Sequence, residues 1–415
     1  MSSPDKPLST TLPFPKVGVS LRVFEIFIEE CGGASALKDL STTEVCDRYM
    51  KPLTSQSRQS YCEMKAESLR TDVAIATVFI SHAWKLKFLD VVDTLKSHFH
   101  STLHSAIIWF DLFSNNQHAA VDLDFSWWST TFKSAIAKFG RTVLVLSPWE
   151  NPIPLSRAWC LYEIFCSINS GAKFEIAMMP VDEMNFIEAV KNDSFVVLKM
   201  IGDINLSKSE AFNPVDKDQI FDAVRSTVGF DVLNSTVFER LRVWVVNCIE
   251  HSIEVSPNEQ DRLLLIFALA QILRQQGRFR ECDAHYANCI SAQRLLTDDP
   301  NILARFLNGF GYNLWYQARY EEAEPLLLES YAIRKDLFGL DNDITMTSLN
   351  TLCQLYRAQN RSVMDTHIHT HGTHTFTLHV YNRFEEAEPL IKDIVDRRRR
   401  MLGEDNNNFL KSLHG

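Results

Sequence analysis

The 415-residue sequence predicts a doubly wound α/β domain built on a parallel sheet, followed by an all-α solenoid. Two observations carry this. From about Thr71 to Pro180, short β-branched runs alternate with helical patterns, as in strand–helix–strand units. Beyond about Ser256 helix follows helix, and one motif recurs at nearly constant spacing. Pro257 interrupts the helical run between the two patterns and puts a junction near His251–Pro257. The chain then reads as an N-terminal helical extension (1–70), an α/β domain with closing helices (71–255) and a repeat region (256–415).

In chain order, Leu21–Met50 carries a helical pattern with no readable role. Strands are predicted at Val73–Ser81, Ser105–Phe110, Thr142–Ser147 and Phe174–Met179, all near-continuous apolar runs of the kind found where both sheet faces are covered. Helices are predicted between them at Lys87–Phe99, Trp128–Phe139 and Ser156–Ser170. Phe195–Met200 reads as a fifth strand and Asp216–Val228 as a closing helix.

In the second part, RFRECDAHY starts at Arg278, RYEEAEPLL at Arg319 and RFEEAEPLI at Arg383. Upstream of each, apolar residues fall in register: Ile266/Leu269/Leu273, Leu307/Phe310/Leu314 and Leu349/Leu352/Tyr356. Small residues recur at Ala270, Gly311 and Cys353, where paired helices approach closely. A helix hairpin that cannot bury its own face stacks into a solenoid, here of about three units, the last incomplete. Removing residues 361–382 restores the period between the second and third motifs. That segment holds five histidines (His367, His369, His371, His374 and His379), which invites a metal reading. The clean excision points instead to a loop or a non-native insertion such as an unspliced intron. The chain ends about one helix into a fourth unit with no polar cap, the pattern of a truncated array.

Composition narrows the function. A net charge of −10 argues against a nucleic-acid partner, and Arg397–Arg400 suits the end of a repeat helix. No apolar run approaches a membrane span and Met1–Pro15 holds no apolar signal core, so no membrane partner is expected. Nine scattered cysteines without a Cys-x-x-Cys pair read as reduced thiols of a cytoplasmic protein with no metal site. Walker, Gly-x-Gly-x-x-Gly, Gly-x-Ser-x-Gly and His-Glu-x-x-His motifs are all missing, so chemistry must come from side chains at strand ends.

Those ends carry Ser81-His82-Ala83-Trp84-Lys85, a long segment Asp111–Ser126, and Ser147–Glu150. Ligands of open parallel sheets bind there. On the Ser156–Ser170 helix, Leu161, Ile164, Phe165 and Ile168 form an apolar stripe, which puts Trp159 and Glu163 on the opposite side. A tryptophan on that side faces a pocket or another chain. The plain alternatives stay open: a solvated Glu163, a loop hydrogen bond at His82, a strand-end cap at Asp111.

FISHAWK, IIWFDLF, TTFKSAIAKFG, TVLVLSPW and SRAWCLYEIF resemble, in order and spacing, a TIR (Toll/interleukin-1 receptor) domain over roughly Thr71–Gly229. The resemblance implies a flavodoxin-like fold. Its most specific piece, Trp159-Cys160-Leu161-Tyr162-Glu163, is similar to the Trp-Cys-Leu-x-Glu helix of plant-type members. In active members that glutamate cleaves NAD+, which implies Glu163 as catalytic residue and Ser81, His82, Trp84, Asp111 and Trp159 as nucleotide-facing. NAD+ is then substrate, the enzyme an NAD+ nucleosidase (a hydrolase), and no resident cofactor is implied. The Asp111–Ser126 segment corresponds to the loop used in self-association with other TIR-like domains. The repeats, with RYEEAEPL and LFG, resemble the tetratricopeptide (TPR) repeats of kinesin light chains over roughly Asp261–Lys411, which implies a peptide or protein client in the TPR groove. The sequence thus leaves two readings: a signalling NAD+ glycohydrolase coupled to a TPR solenoid, or a non-catalytic TIR/TPR adaptor akin to a kinesin-light-chain scaffold.

Overall fold

Six strands form one mixed sheet. The computed structural model describes residues 16–100, 106–118, 133–202, 204–211, 214–296, 299–369 and 392. The strands are β1 (Val17–Val19), β2 (Val73–Ile75), β3 (Val78–Ser81), β4 (Ile108–Trp109), β5 (Arg141–Val145) and β6 (Lys173–Ala177), in spatial order β2-β1-β4-β3-β5-β6. β4, β3, β5 and β6 run parallel, with Phe79 beside both Trp109 and Thr142 in register. β1 is antiparallel to both neighbours. The chain divides into two compact units, Met1–Ala189 with Phe195–Asn247, and Val190–Ser194 with Cys248–Gly415.

Three expectations change. The apolar run Val73–Ser81 is two strands: Ala76 and Thr77 break it, bonding to Lys16 O and Ile107 O, and β2 turns to pair with β1. The sheet is therefore mixed, not wholly parallel. The described part of the N-terminal stretch, residues 16–70, is not a mere extension, because β1 lies inside the sheet between β2 and β4. Gly18 allows that crossing, since a Cβ there would sit 2.3 Å from Ile108 O. Phe195–Met200 is no strand but part of the helix Phe195–Gly202. Its Val197, Met200 and Ile201 are buried at i, i+3, i+4 spacing, a helical face that outweighs the β-branched pair.

The helices of seven or more described residues that begin in this unit are α1 (Leu21–Glu30), α2 (Phe88–His98), α3 (133–139), α4 (Ala158–Ser170), α5 (Pro180–Asn192), α6 (Phe195–Gly202), α7 (Pro214–Arg225) and α8 (Gly229–Val255), of which α5 and α8 run on into the second unit. Phe24 and Phe27 of α1 join Tyr61, Phe88, Phe110 and Phe113 in one aromatic cluster, all fully buried, with centroid separations of 5.1 Å for both Phe24–Phe110 and Phe27–Phe113. A buried phenylalanine contributes about 1.5–3 kcal/mol relative to an exposed one, so α1 is integral to this core. α4 buries Leu161, Ile164 and Phe165 as its periodicity requires, and Gly171 ends it at φ 70°. Its N-cap is Arg157 rather than Ser156, whose hydroxyl donates instead to Ile153 O.

The second unit holds α9 (Glu259–Gln275), α10 (Phe279–Leu296), α11 (Pro300–Tyr316), α12 (Tyr320–Phe338) and α13 (Asp343–His369), packed in sequence. The small-residue column has a steric cause: a Cβ on Gly311 would lie 2.6 Å from Leu327. The recurring arginine-to-glutamate spacing forms i,i+3 ion pairs, Arg278–Glu281 at 2.6 Å and Arg319–Glu322 at 2.7 Å. Gly277 and Ala318 occupy equivalent turns with φ of 77° and 57°. The backbone of 361–369 continues α13; the rest of the histidine-rich insertion and the third motif at Arg383 lie outside the described residues. Among the described residues no helix is long and apolar enough to cross a membrane.

Candidate functional site

At the carboxyl ends of β3 and β4 the α/β unit encloses a cavity of about 310 Å³. β3 ends at Ser81, so His82, Ala83 and Trp84 turn over its edge into the wall; Asp111, just past β4, joins them. α4 supplies Trp159, Cys160 and Glu163, with Arg157 at its N-cap, and α7 supplies Asp216. The apolar stripe of α4 faces the core, which forces Trp159 and Glu163, one turn apart, onto the cavity side.

Of the six residues singled out in the sequence, His82, Trp84, Asp111, Trp159 and Glu163 line this cavity, and Ser81 is bonded to one of them. Ser81 Oγ donates to Glu163 Oε2 at 2.5 Å. Burial pushes the Glu163 carboxyl up to about 8; the Ser81 hydrogen bond opposes that rise and the Asp111 charge adds to it. Asp111 accepts hydrogen bonds from the Asn115 amide and the Trp84 indole, yet burial raises its carboxyl to about 6. The Trp159 indole donates to Asp216 Oδ2 at 3.3 Å. His82 is 6% exposed and stacks on Phe110 with centroids 4.6 Å apart. Burial holds its imidazole down at about 3, so the ring is neutral at pH 7, and Nε2 has no hydrogen-bond partner among the described residues. His82 is thus not the loop hydrogen-bonder that its position suggested.

Sequence reasoning missed Arg157, Cys160 and Asp216 as wall residues. Arg157 lies two residues before the Trp-Cys-Leu motif and Cys160 within it, so both were open to recognition. Asp216 sits on a helix far along the chain, and nothing local marks it. Cys160 is an inert wall: its thiol lies 3.6 Å from His82 O and burial raises it well above the usual range. Of the Asp111–Ser126 segment, Asp111–Ser114 forms a single helical turn, and 119–126 lie outside the described residues. Among the described residues no three His, Cys, Asp or Glu side chains gather to hold a metal ion.

Chemically, the cavity offers a carboxylate poised between its two protonation states, a second carboxylate beside it, and two indoles. Such a wall suits a flat, cationic or cation-forming ligand.

The tetratricopeptide repeat family matches residues 261–336, which span α9 to near the end of α12. No curated protein matches the chain. Stacked repeats of this kind present protein-binding surfaces, and this segment gives the chain an interaction scaffold.

Proposed function

We propose that the α/β unit is a TIR-like hydrolase that cleaves NAD+ to nicotinamide and ADP-ribose, tied to a tetratricopeptide scaffold that binds a protein client. The observation that carries this reading is the placement of Glu163 in the cavity wall, held by Ser81 and flanked by Trp159. In the reaction the bond from ribose C1′ to the pyridinium nitrogen breaks, and its electron pair leaves with neutral nicotinamide. The Glu163 carboxylate stabilises the cationic ribosyl centre or holds the ribose hydroxyls. Water then bonds to C1′ and releases one proton to solvent. Trp84 or Trp159 offers a face for ring stacking. NAD+ enters as substrate, and its pyridinium charge favours the ionised form of Glu163.

The test is nicotinamide release from NAD+ by the full chain, since β1 and α1 belong to the sheet and core. Glu163→Gln is expected to slow release at least about 100-fold. Equal rates for the two proteins would remove the hydrolase reading.

A second reading, an interaction adaptor, has its own support in the repeat match; in it the TIR-like unit self-associates through the Asp111–Ser126 segment. It predicts partner capture that Glu163→Gln leaves intact, with NAD+ untouched.

A further inference from the structure

The charges lining the cavity are unevenly arranged. Asp111, Glu163 and Asp216 are acidic, and Arg157 is the one cation among the described lining residues. A cavity this acidic repels a phosphorylated ligand unless the phosphate lies at the arginine. The Arg157 side chain makes no hydrogen bond or ion pair among the described residues, although three carboxylates share its cavity. Its backbone is fixed, bridged to Glu210 in parallel register, with Ala158 N bonded to Glu210 O.

Arg157 also marks the start of α4, a helix of 13 residues with no side-chain cap and no acidic residue in its first turn. The positive end of that helix dipole is therefore not neutralised by any side chain of its own first turn. In the same cavity wall the buried His82 Nε2 has no hydrogen-bond partner among the described residues. Glu163 lies six residues further along α4, about 9 Å up the helix axis at 1.5 Å per residue. That span, less the reach of the arginine side chain, suits the separation between the anomeric carbon of a ribose and its 5′-phosphate.

We propose that Arg157, with the open N-terminus of α4, binds the 5′-phosphate next to the nicotinamide ribose, so that the cavity selects phosphorylated nicotinamide ribosides by charge at both ends. The pyridinium cation lies towards Glu163 and Asp111, and the phosphate lies towards Arg157. This assignment rests on the hydrolase reading for its substrate.

The experiment measures nicotinamide release by the full chain from NAD+, nicotinamide mononucleotide and nicotinamide riboside, for wild type, Arg157→Ala and Arg157→Lys. Charge-assisted hydrogen bonds of this kind correspond to losses of about 10- to 100-fold. Arg157→Ala is expected to lose that much kcat/KM on the two phosphorylated substrates, chiefly through KM. The riboside, which has no phosphate, is expected to lose far less, and Arg157→Lys to recover part of the loss. Equal losses on all three substrates would overturn the assignment, because they would mark Arg157 as a support for α4.

Calorimetric titration with ADP-ribose separates this idea from the hydrolase reading. Arg157→Ala is expected to bind ADP-ribose about 10-fold more weakly or worse. A wild type that binds ADP-ribose through Arg157 yet leaves NAD+ intact would retire the hydrolase and keep the phosphate site. A wild type that does not bind ADP-ribose, or an Arg157→Ala protein that binds it as tightly, would retire the phosphate site.

Discussion

Replacing Glu163 by glutamine tests the site without any substrate. The unfolded carboxyl loses its proton near 4.5 and the folded one near 8, because the cavity wall strips water from the charge. Stability drawn from this group is therefore full below about pH 4.5 and is lost as pH rises through about 8. The shift corresponds to at most about 5 kcal/mol, at about 1.4 kcal/mol per pKa unit. Water entering the cavity reduces this to roughly 2–3 kcal/mol in practice. Glutamine keeps the shape and the acceptor for Ser81 but never ionises. Glu163→Gln is expected to match wild type near pH 5 and to exceed it by roughly 2–3 kcal/mol at pH 9. Urea unfolding followed by tryptophan fluorescence at pH 5, 7 and 9 reads this out, since six of the eight tryptophans lie between Trp84 and Trp159. A stability difference that stays flat across that range would refute the argument that Glu163 is a desolvated acid.

Two further outcomes follow from the same geometry. Ser81→Ala removes the hydrogen bond that favours the ionised carboxylate, so the acid limb of the kcat/KM–pH profile should move upward from about 8, as measured by nicotinamide release; an unmoved limb would mean that Ser81 does not govern Glu163. Gly18→Ala places a methyl group against Ile108 O and should cost about 1–3 kcal/mol in urea unfolding, whereas a neutral result would show that β1 is free to shift away from β4.

Much of this protein could be read from local pattern. The periodicity of α4 separated Leu161, Ile164 and Phe165 from Trp159 and Glu163, and the structure puts the two sets on the core and cavity sides. The repeat columns, with Gly311 at a close helix contact, were visible because a solenoid buries each face against its sequence neighbour. Elsewhere local pattern failed. β1 is three residues long and owes its place to partners at Val73–Ile75 and Ile108, too short a run to carry a periodic signal. Phe195–Met200 looked like a strand because its adjacent valines, Val196 and Val197, suit a strand by propensity and a buried helix face equally well.

The order of apolar and polar residues determined by itself that a strand–helix alternation precedes a helical repeat, and which side of α4 turns away from the core. Local burial follows from periodicity, which needs no knowledge of distant residues. Tertiary structure alone decided that β1 completes the sheet and α1 its core, that the His82 ring stacks on Phe110 with Nε2 unpartnered among the described residues, and that Arg157 and Asp216 share a cavity with Glu163. The perturbation of Glu163 belongs to that second group, because desolvation is a property of what surrounds a carboxylate and not of the residue itself.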